Sequence, residues 1–456
     1  MLTFWDENKA VGRRDFLRVG GFGLAGLASP ALASNDFQSA LTGKSVIFLF
    51  LHGGPSQIDT FDPKPNAPME FRGPLESIAT AIPSVRFSSV FPKLAALANL
   101  LTIVRSYVPG NANHDIKPIV CPASSKMNLG SLYASIAGIS HPQNAVPRNA
   151  LLFPRAVDPE TQAGTMSFGK FDDTGPFPRS LAPVQPGAGS GLLRDLRINL
   201  PRERLDDRMQ LLKTLDGVRW SIEDTLRGEA TDNSRKLALL ALLGGLADAL
   251  DLSKEDAKTV ARYDTAPLIA PDKIDKKWKN FKNYTDNVKT LGKLLCLARR
   301  MCERGAGFVT VTTNFVWDMH ADVNNATISE GMGYMGGPLD HAVSAFLEDV
   351  QTRGLSDKIM LVCTGEMGRT PRVNGKGGRD HWGNLGPLLL AGGGQSMGRV
   401  IGQSRANGGE PSSAPVTQGM VVSTVLQTLL DSSRLRALPV TPREVSSALA
   451  PASIFD

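Results

Sequence analysis

Lys44-Ser45-Val46-Ile47-Phe48-Leu49-Phe50-Leu51 is a short stretch, apolar from Val46 onward, and His52-Gly53-Gly54 closes it. A brief apolar run bounded by glycine reads as a strand buried on both faces, the kind found in parallel sheets. Leu100–Ser106, Gly307–Thr313, Lys358–Thr364 and Pro387–Gly392 have the same character. Amphipathic helices are expected before three of these, at about 91–99, 286–304 and 338–353. Strand, loop, helix and strand repeated in this way predict an α/β fold with a mostly parallel central sheet flanked by helices. In such sheets ligands bind at the carboxyl ends of the strands.

The segments between the runs fill in the rest. Arg202 to Ile222 and Ser234 to Leu252 carry helical periodicity and many charges, so about 195–285 reads as a helical insertion covering one side of the sheet. Ser253-Lys254-Glu255-Asp256 looks like a helix N-cap with acids in the first turn. Residues 155–192, rich in Gly, Pro and Ser, read as long loops, 402–416 as a surface loop and 417–431 as a closing helix. Residues 34–456 are expected to form one domain.

Residues 12–33 read GRRDFLRVGGFGLAGLASPALA. A basic flank with Arg13 and Arg14 precedes a Gly/Ala/Leu run and a small-residue site, Ala31-Leu32-Ala33, which is the order of an export signal. The arginine pair makes it a twin-arginine signal over 1–33, an address read by the export machinery and not an anchor. The expected location is periplasmic or secreted. No other segment is apolar for long enough to span a bilayer, so no stable membrane anchor is expected. The chain of 456 residues has a net charge of +6, about +5 without the leader. Its basic residues are scattered, and the densest run, Asp272 to Lys279, is interrupted by acids, which argues against a nucleic-acid groove. The four cysteines, 121, 296, 302 and 363, are too scattered for a disulfide framework and read as buried thiols.

Five polar segments each follow a candidate strand: Gly53 to Pro63, Asn111 to Asp115, Trp317 to His320, Gly365 to Pro371 and Gly378 to Gly383. Of the six histidines, 114, 320 and 381 fall in these segments beside carboxylates. Imidazole and carboxylate are the ligands of Zn²⁺ and similar divalent ions. Asp318 and His320 are two apart, so on an extended strand end they point the same way, and His381 can supply a third ligand. Each residue has a plainer reading. Glu366 and Arg369 could pair with each other, Asp62 before Pro63 could start a turn, and Asp380 could orient His381. His52 ends the first strand, while His141 and His341 lie away from the clusters. Shared placement beside successive strands favours a common metal site.

GGPSQIDTFDPKP (53–65), VWDMH (316–320), GEMGRTPRVNGKGGRDHWG (365–383) and AGGG…VIG (391–402) resemble the DUF1501 family of exported bacterial proteins. That family is similar in fold to the alkaline phosphatase and sulfatase superfamily, whose members hydrolyse phosphate or sulfate esters with one or two metal ions. The resemblance implies that Asp318, His320 and His381 form an Asp/His/His site for Zn²⁺. It implies that Asp59 and Glu366 belong to a second site, where Met367 replaces a histidine and an oxygen-rich set would suit Ca²⁺ or Mg²⁺. The superfamily places a Ser, Thr or modified Cys nucleophile after the second strand. No Ser or Thr lies between Asn111 and Pro122 here, and Cys121-Pro122-Ala123-Ser124-Ser125 only faintly resembles a sulfatase motif.

These readings lead to an exported metal-dependent hydrolase of phosphate or sulfate esters, acting on an anionic small molecule or polymer. His114 would serve as base or leaving-group acid, with a ligand or a nucleophile as its other readings, and Arg369 would offer a fork to the anion. The alternative is a non-catalytic exported protein that keeps the fold and binds a ligand or serves as structure. A mutase or lyase on the same scaffold is a third reading.

Overall fold

The computed structural model describes residues 5–6, 9–10, 35–187, 245–438 and 440–456. Most of the leader and residues 195–244 of the expected insertion lie outside the described residues. A seven-stranded sheet is built from β1 (Ser45–Phe50), β2 (Thr102–Val104), β3 (Asn149–Leu152), β4 (Phe308–Thr312), β5 (Ile359–Thr364), β6 (Leu388–Gly392) and β7 (Arg399–Ile401), in the order β7-β2-β6-β5-β1-β4-β3. All five expected strands are present, and β3 and β7 add the two edges. β3, β4, β1 and β5 pair in parallel, as do β2 and β7, while β6 runs antiparallel to both its neighbours.

The apolar run of β1 is explained by the two layers around it. Ile47, Leu49 and Leu51 enter one core and Val46, Phe48 and Phe50 the other, since successive side chains of a strand point to opposite faces. The first core is covered by the helices α4 (Phe281–Glu303) and α5 (Ile328–Thr352), with α1 (Pro92–Ala96) beside them. The second is covered by α2 (Leu129–Ala137) and α6 (Gln418–Leu429). The four cysteines are buried and free.

Two expectations are corrected in detail. α5 begins ten residues before the expected 338, despite Pro338 and four glycines in its first half. Propensity gives way to packing: a Cβ on Gly331 would strike Met319 and one on Gly336 would strike Val90, so the glycines let the helix lie close. The cap after Leu252 is Asp256, which accepts from Thr259 N at the start of α3 (Ala257–Tyr263), and not Ser253. Glu255 is drawn instead into ion pairs with Arg299, Arg300 and Arg353.

The reversal of β6 positions the site. Residues 365–387 connect β5 to β6 without a helix, as antiparallel neighbours permit. Both ends of this segment therefore lie at the same edge of the sheet, where β1, β2 and β4 also end. His381 reaches that edge by preceding a reversed strand, not by following a parallel one.

Candidate metal centre

Backbone contacts bring the segments together. His52 O accepts from Val316 N and Trp317 N, both at 3.1 Å. Gly53 has a φ of 113°, and a Cβ there would lie 2.6 Å from Asp318 N, so only glycine lets these backbones approach. Arg369 and His381 face each other in a short antiparallel pairing of Gly368–Arg369 with His381–Trp382. Arg379 N donates to Met319 O at 3.0 Å, and a Cβ on Gly378 would strike the His320 carbonyl. Asp318 and His320 do not sit on an extended end. Met319 N donates to Trp317 O and His320 N to Asp318 O, so the backbone curls, and the two side chains still meet.

Asp318 is the centre of the cluster. Its Oδ1 lies 2.9 Å from His320 Nε2, 3.3 Å from His381 Nε2 and 3.6 Å from His114 Nε2, and it also accepts from Arg369 Nη2. The Nε2 atoms of His320 and His381 are 2.8 Å apart. His114, Asp318 and His381 offer donor atoms within 4.8 Å of one another. A second layer orients the rings. Glu366 Oε1 is 2.8 Å from His114 Nδ1, Asp380 Oδ1 is 3.2 Å from His320 Nδ1, and Asp318 Oδ2 accepts from Asn325 Nδ2 at 3.1 Å. With Nδ1–H donated to Glu366, the Nε2 atom of His114 turns a lone pair toward Asp318 Oδ1, whereas His320 Nε2 lies 2.9 Å from Asp318 Oδ1 and 3.2 Å from Arg369 Nη1. Acceptors facing an acceptor call for a cation between them, and outer carboxylates on ligating histidines are the usual support of such a site.

The electrostatics follow the geometry. Burial pushes the Asp318 carboxyl up, but the His320 and His381 bonds and the Arg369 charge outweigh it and hold Asp318 far below the usual carboxylate range. Burial lowers His320, but its bond to Asp318 wins and raises it. His381 is raised by its Asp318 bond, yet burial and the nearby Arg369 and His114 leave it lowered. Burial likewise pushes Glu366 up, and the His114 bond with the His52 and His114 charges brings it below its ordinary value. Two imidazole nitrogens, from His114 and His381, and one Asp318 oxygen form a set close enough to share one divalent cation.

The expected site residues divide. Asp318, His320 and His381 converge. His114, expected as an acid or base, joins them as a further donor. Glu366, expected at a second ion, backs His114 and accepts from Gly53 N at 2.9 Å. Asp59 is not brought to the cluster: its buried carboxylate faces Arg379, with Oδ2 2.7 Å from Nε. Arg369 is not a free fork. It is 1% exposed, and its nitrogens reach Gly53 O, Gly54 O, Arg379 O and Asp318. Cys121 is buried with its thiol pushed up by that burial, the opposite of what a thiolate nucleophile needs. Sequence reading placed Asp380 beside His381, whereas it serves His320, and it missed Asn325, whose asparagine in a loop carries no distinguishing signal. His52 is buried among Phe50, Phe168, Phe171 and Phe315, its two ring nitrogens without hydrogen-bond partners and its pKa lowered by burial.

Residues 43–438 match the family described as "Protein of unknown function (DUF1501)", and the chain belongs to that family. No curated protein matches the sequence. Among solved structures the chain is similar to Ps i-CgsB, at 10% identity and a TM-score of 0.37, over 90% of this chain and 75% of that one. It is similar to the PsFucS1 sulfatase from Pseudoalteromonas sp., at 11% identity and a TM-score of 0.34, over 92% and 72%. The alkaline phosphatase from the Antarctic bacterium TAB5 matches at 12% identity and a TM-score of 0.28, over 80% and 95%. At these scores the likenesses carry no argument about chemistry, which rests on the site itself. Among the described residues, no helix is long and apolar enough to cross a membrane.

Proposed function

We propose that this protein is an exported hydrolase of phosphate or sulfate esters that works with a divalent cation, zinc being the ion its donors suit. The carrying observation is the convergence of His114, His320 and His381 within 3.6 Å of one Asp318 oxygen. Asp318, His114 and His381, with His320 alongside, would hold the cation. When bound, such an ion polarises a phosphoryl or sulfuryl oxygen. Glu366 and Asp380 fix the tautomers of His114 and His320, and Arg369 ties the Gly53–Gly54 turn to Asp318. His320, partly exposed at the rim and outside the closest donor set, is the group placed to pass a proton to or from an entering ester. Asp59 is committed to Arg379, so a second ion forms no part of this reading. The twin-arginine leader is proposed to carry the folded chain to the periplasm.

The test is elemental analysis of the purified full chain, followed by a panel of phosphomonoesters, phosphodiesters and sulfate esters with several divalent ions. About one ion per chain in wild type, its loss in His381→Ala, and turnover of at least one ester support the reading. Folded wild-type protein that takes up no divalent ion overturns it. Fractionation of cells carrying Arg13→Lys with Arg14→Lys checks the export step, since retention in the cytoplasm is expected.

A non-catalytic binding protein is the second reading. Two observations favour it: no Ser or Thr lies between Asn111 and Pro122, and the Arg369 guanidinium already places a positive charge on Asp318. A stoichiometric ion with no turnover across the panel would select it.

A further inference from the structure

Phe168 is the one exposed aromatic ring among the described residues, at 40%, and it stands beside the cluster. Its ring is stacked on Phe315 at 4.3 Å and 22°. Both rings lie against His114, at 5.3 and 4.6 Å between centroids, and against the edge of His52. An isolated exposed apolar side chain is ordinary on a protein surface. This one is held in place from several directions. Gln162 N donates to Asp286 Oδ2 at 2.7 Å. The buried Asn314, next to Phe315, accepts from Thr165 N at 2.9 Å and donates to Ala163 O at 3.0 Å. Gly169 packs so tightly on Ile116 that a Cβ there would lie 2.9 Å from its side chain. Phe171 is in the core, and its carbonyl accepts from Asn128 Nδ2 at 2.9 Å. The loop is anchored before and after Phe168, while Ser167, Phe168 and Lys170 face solvent.

A loop fixed this way positions an aromatic face one ring's width from His114, with no protein group needed to explain its outward aspect. We propose that the Phe168–Phe315 stack is a platform for the substrate's alcohol portion, receiving the flat apolar face of a ring, whether aryl or pyranose. This rests on the ester reading of the adjoining cluster. An ester bound at the cation site that Asp318 and His114 would form would lay its organic group across this rim. A ring offers a flat face for stacking, which a linear polyol does not.

The experiment uses the full, metal-supplemented chain and reads binding apart from turnover. Saturation-transfer NMR with phenol, methyl β-glucopyranoside and glycerol compares wild type with Phe168→Ala, Phe168→Leu and Phe168→Trp. Wild type is expected to bind at least one ring alcohol and to bind glycerol more weakly. Phe168→Ala and Phe168→Leu should weaken ring binding about two- to tenfold, and Phe168→Trp should restore it. The phenol and glucoside arms separate aryl from sugar recognition. Where esters are turned over, Phe168→Ala should raise KM for ring esters with kcat kept and leave glycerol phosphate unchanged. Ring alcohols that bind wild type no better than glycerol, or equal ring binding by Phe168→Ala and Phe168→Leu, overturn the platform. Absence of all turnover with Phe168-dependent ring binding intact would remove the hydrolase reading and leave the platform standing.

Discussion

Two polar clusters with buried centres sit on opposite terms in this molecule. In the first, on α4, α5 and the segment before α3, Arg299, Arg300 and Arg353 meet Glu255, Glu303 and Asp349, three positive groups against three negative ones. Tyr263 completes it by donating to Asp349 Oδ2 at 3.0 Å. Charges balance and donors face acceptors. In the second, Asp318 is surrounded by three imidazole nitrogens and one guanidinium, and the nitrogens of His320 and His381 point at each other. The first arrangement is balanced in charge by protein atoms alone, although Arg300 Nε is left without a hydrogen-bond partner. The second gains from an added cation. Burial is common to both; complementarity of donors and acceptors separates a scaffold from a site.

The sharpest way to break this comparison is Asp318→Ala. It removes the oxygen on which four side chains converge and leaves the buried Arg369 without its carboxylate. Metal content should fall to trace and stability should drop by about 3–5 kcal/mol, read by elemental analysis and denaturant unfolding. A variant that keeps a full complement of metal would show that the ion sits elsewhere. Arg299→Met tests the scaffold side. It removes the centre of the ion network and leaves Glu255 to Arg300 and Arg353 and Asp349 to Arg353 and Tyr263, so a loss of about 1.5–3 kcal/mol is expected, with metal content per folded chain unchanged. Metal loss in that variant would mean the clusters are not independent.

Acid sharpens the scaffold further. Burial raises the Glu255 carboxyl, but the Arg300 and Arg299 bonds outweigh it and bring it from 4.5 to about 2. A carboxyl lowered in the folded state contributes stability above its unfolded pKa and loses it as pH falls through its folded one. Unfolding free energy should therefore decline between about pH 4.5 and 2, and Glu255→Gln should flatten that limb while lowering the neutral-pH plateau. An unchanged acid limb would assign the loss to other carboxylates. The smallest effect expected is at the outer layer of the site. Glu366→Gln keeps the shape but weakens its hold on His114 Nδ1, so metal affinity should fall about 10–100-fold, measured by competition with a chelator. Unaltered affinity would take His114 out of the ligand set.

Much of this was legible before any coordinates. The five apolar runs are strands because each is long enough to cross a sheet and too short to be a buried helix. Asp318, His320 and His381 stood out because rare histidines beside carboxylates adjoined those runs. What escaped was relational. Asp59 looked like a ligand, yet its partner Arg379 lies 320 residues away in the chain. Arg369 looked like an open fork, but five backbone and side-chain acceptors surround it. The start of α5 was hidden by glycines whose purpose is close approach to Met319 and Val90.

By itself the sequence determined the alternation of strand and helix, the family, and the list of polar segments, because periodicity, glycine and residue chemistry are local properties. Tertiary structure alone decided the direction of β6, and with it which ends of the 365–387 segment share an edge with Asp318. It also decided which histidines become neighbours and which charges are already answered. Those outcomes depend on distances between residues remote in the chain, and a buried acid or base acquires its role only from what stands within about 4 Å of it.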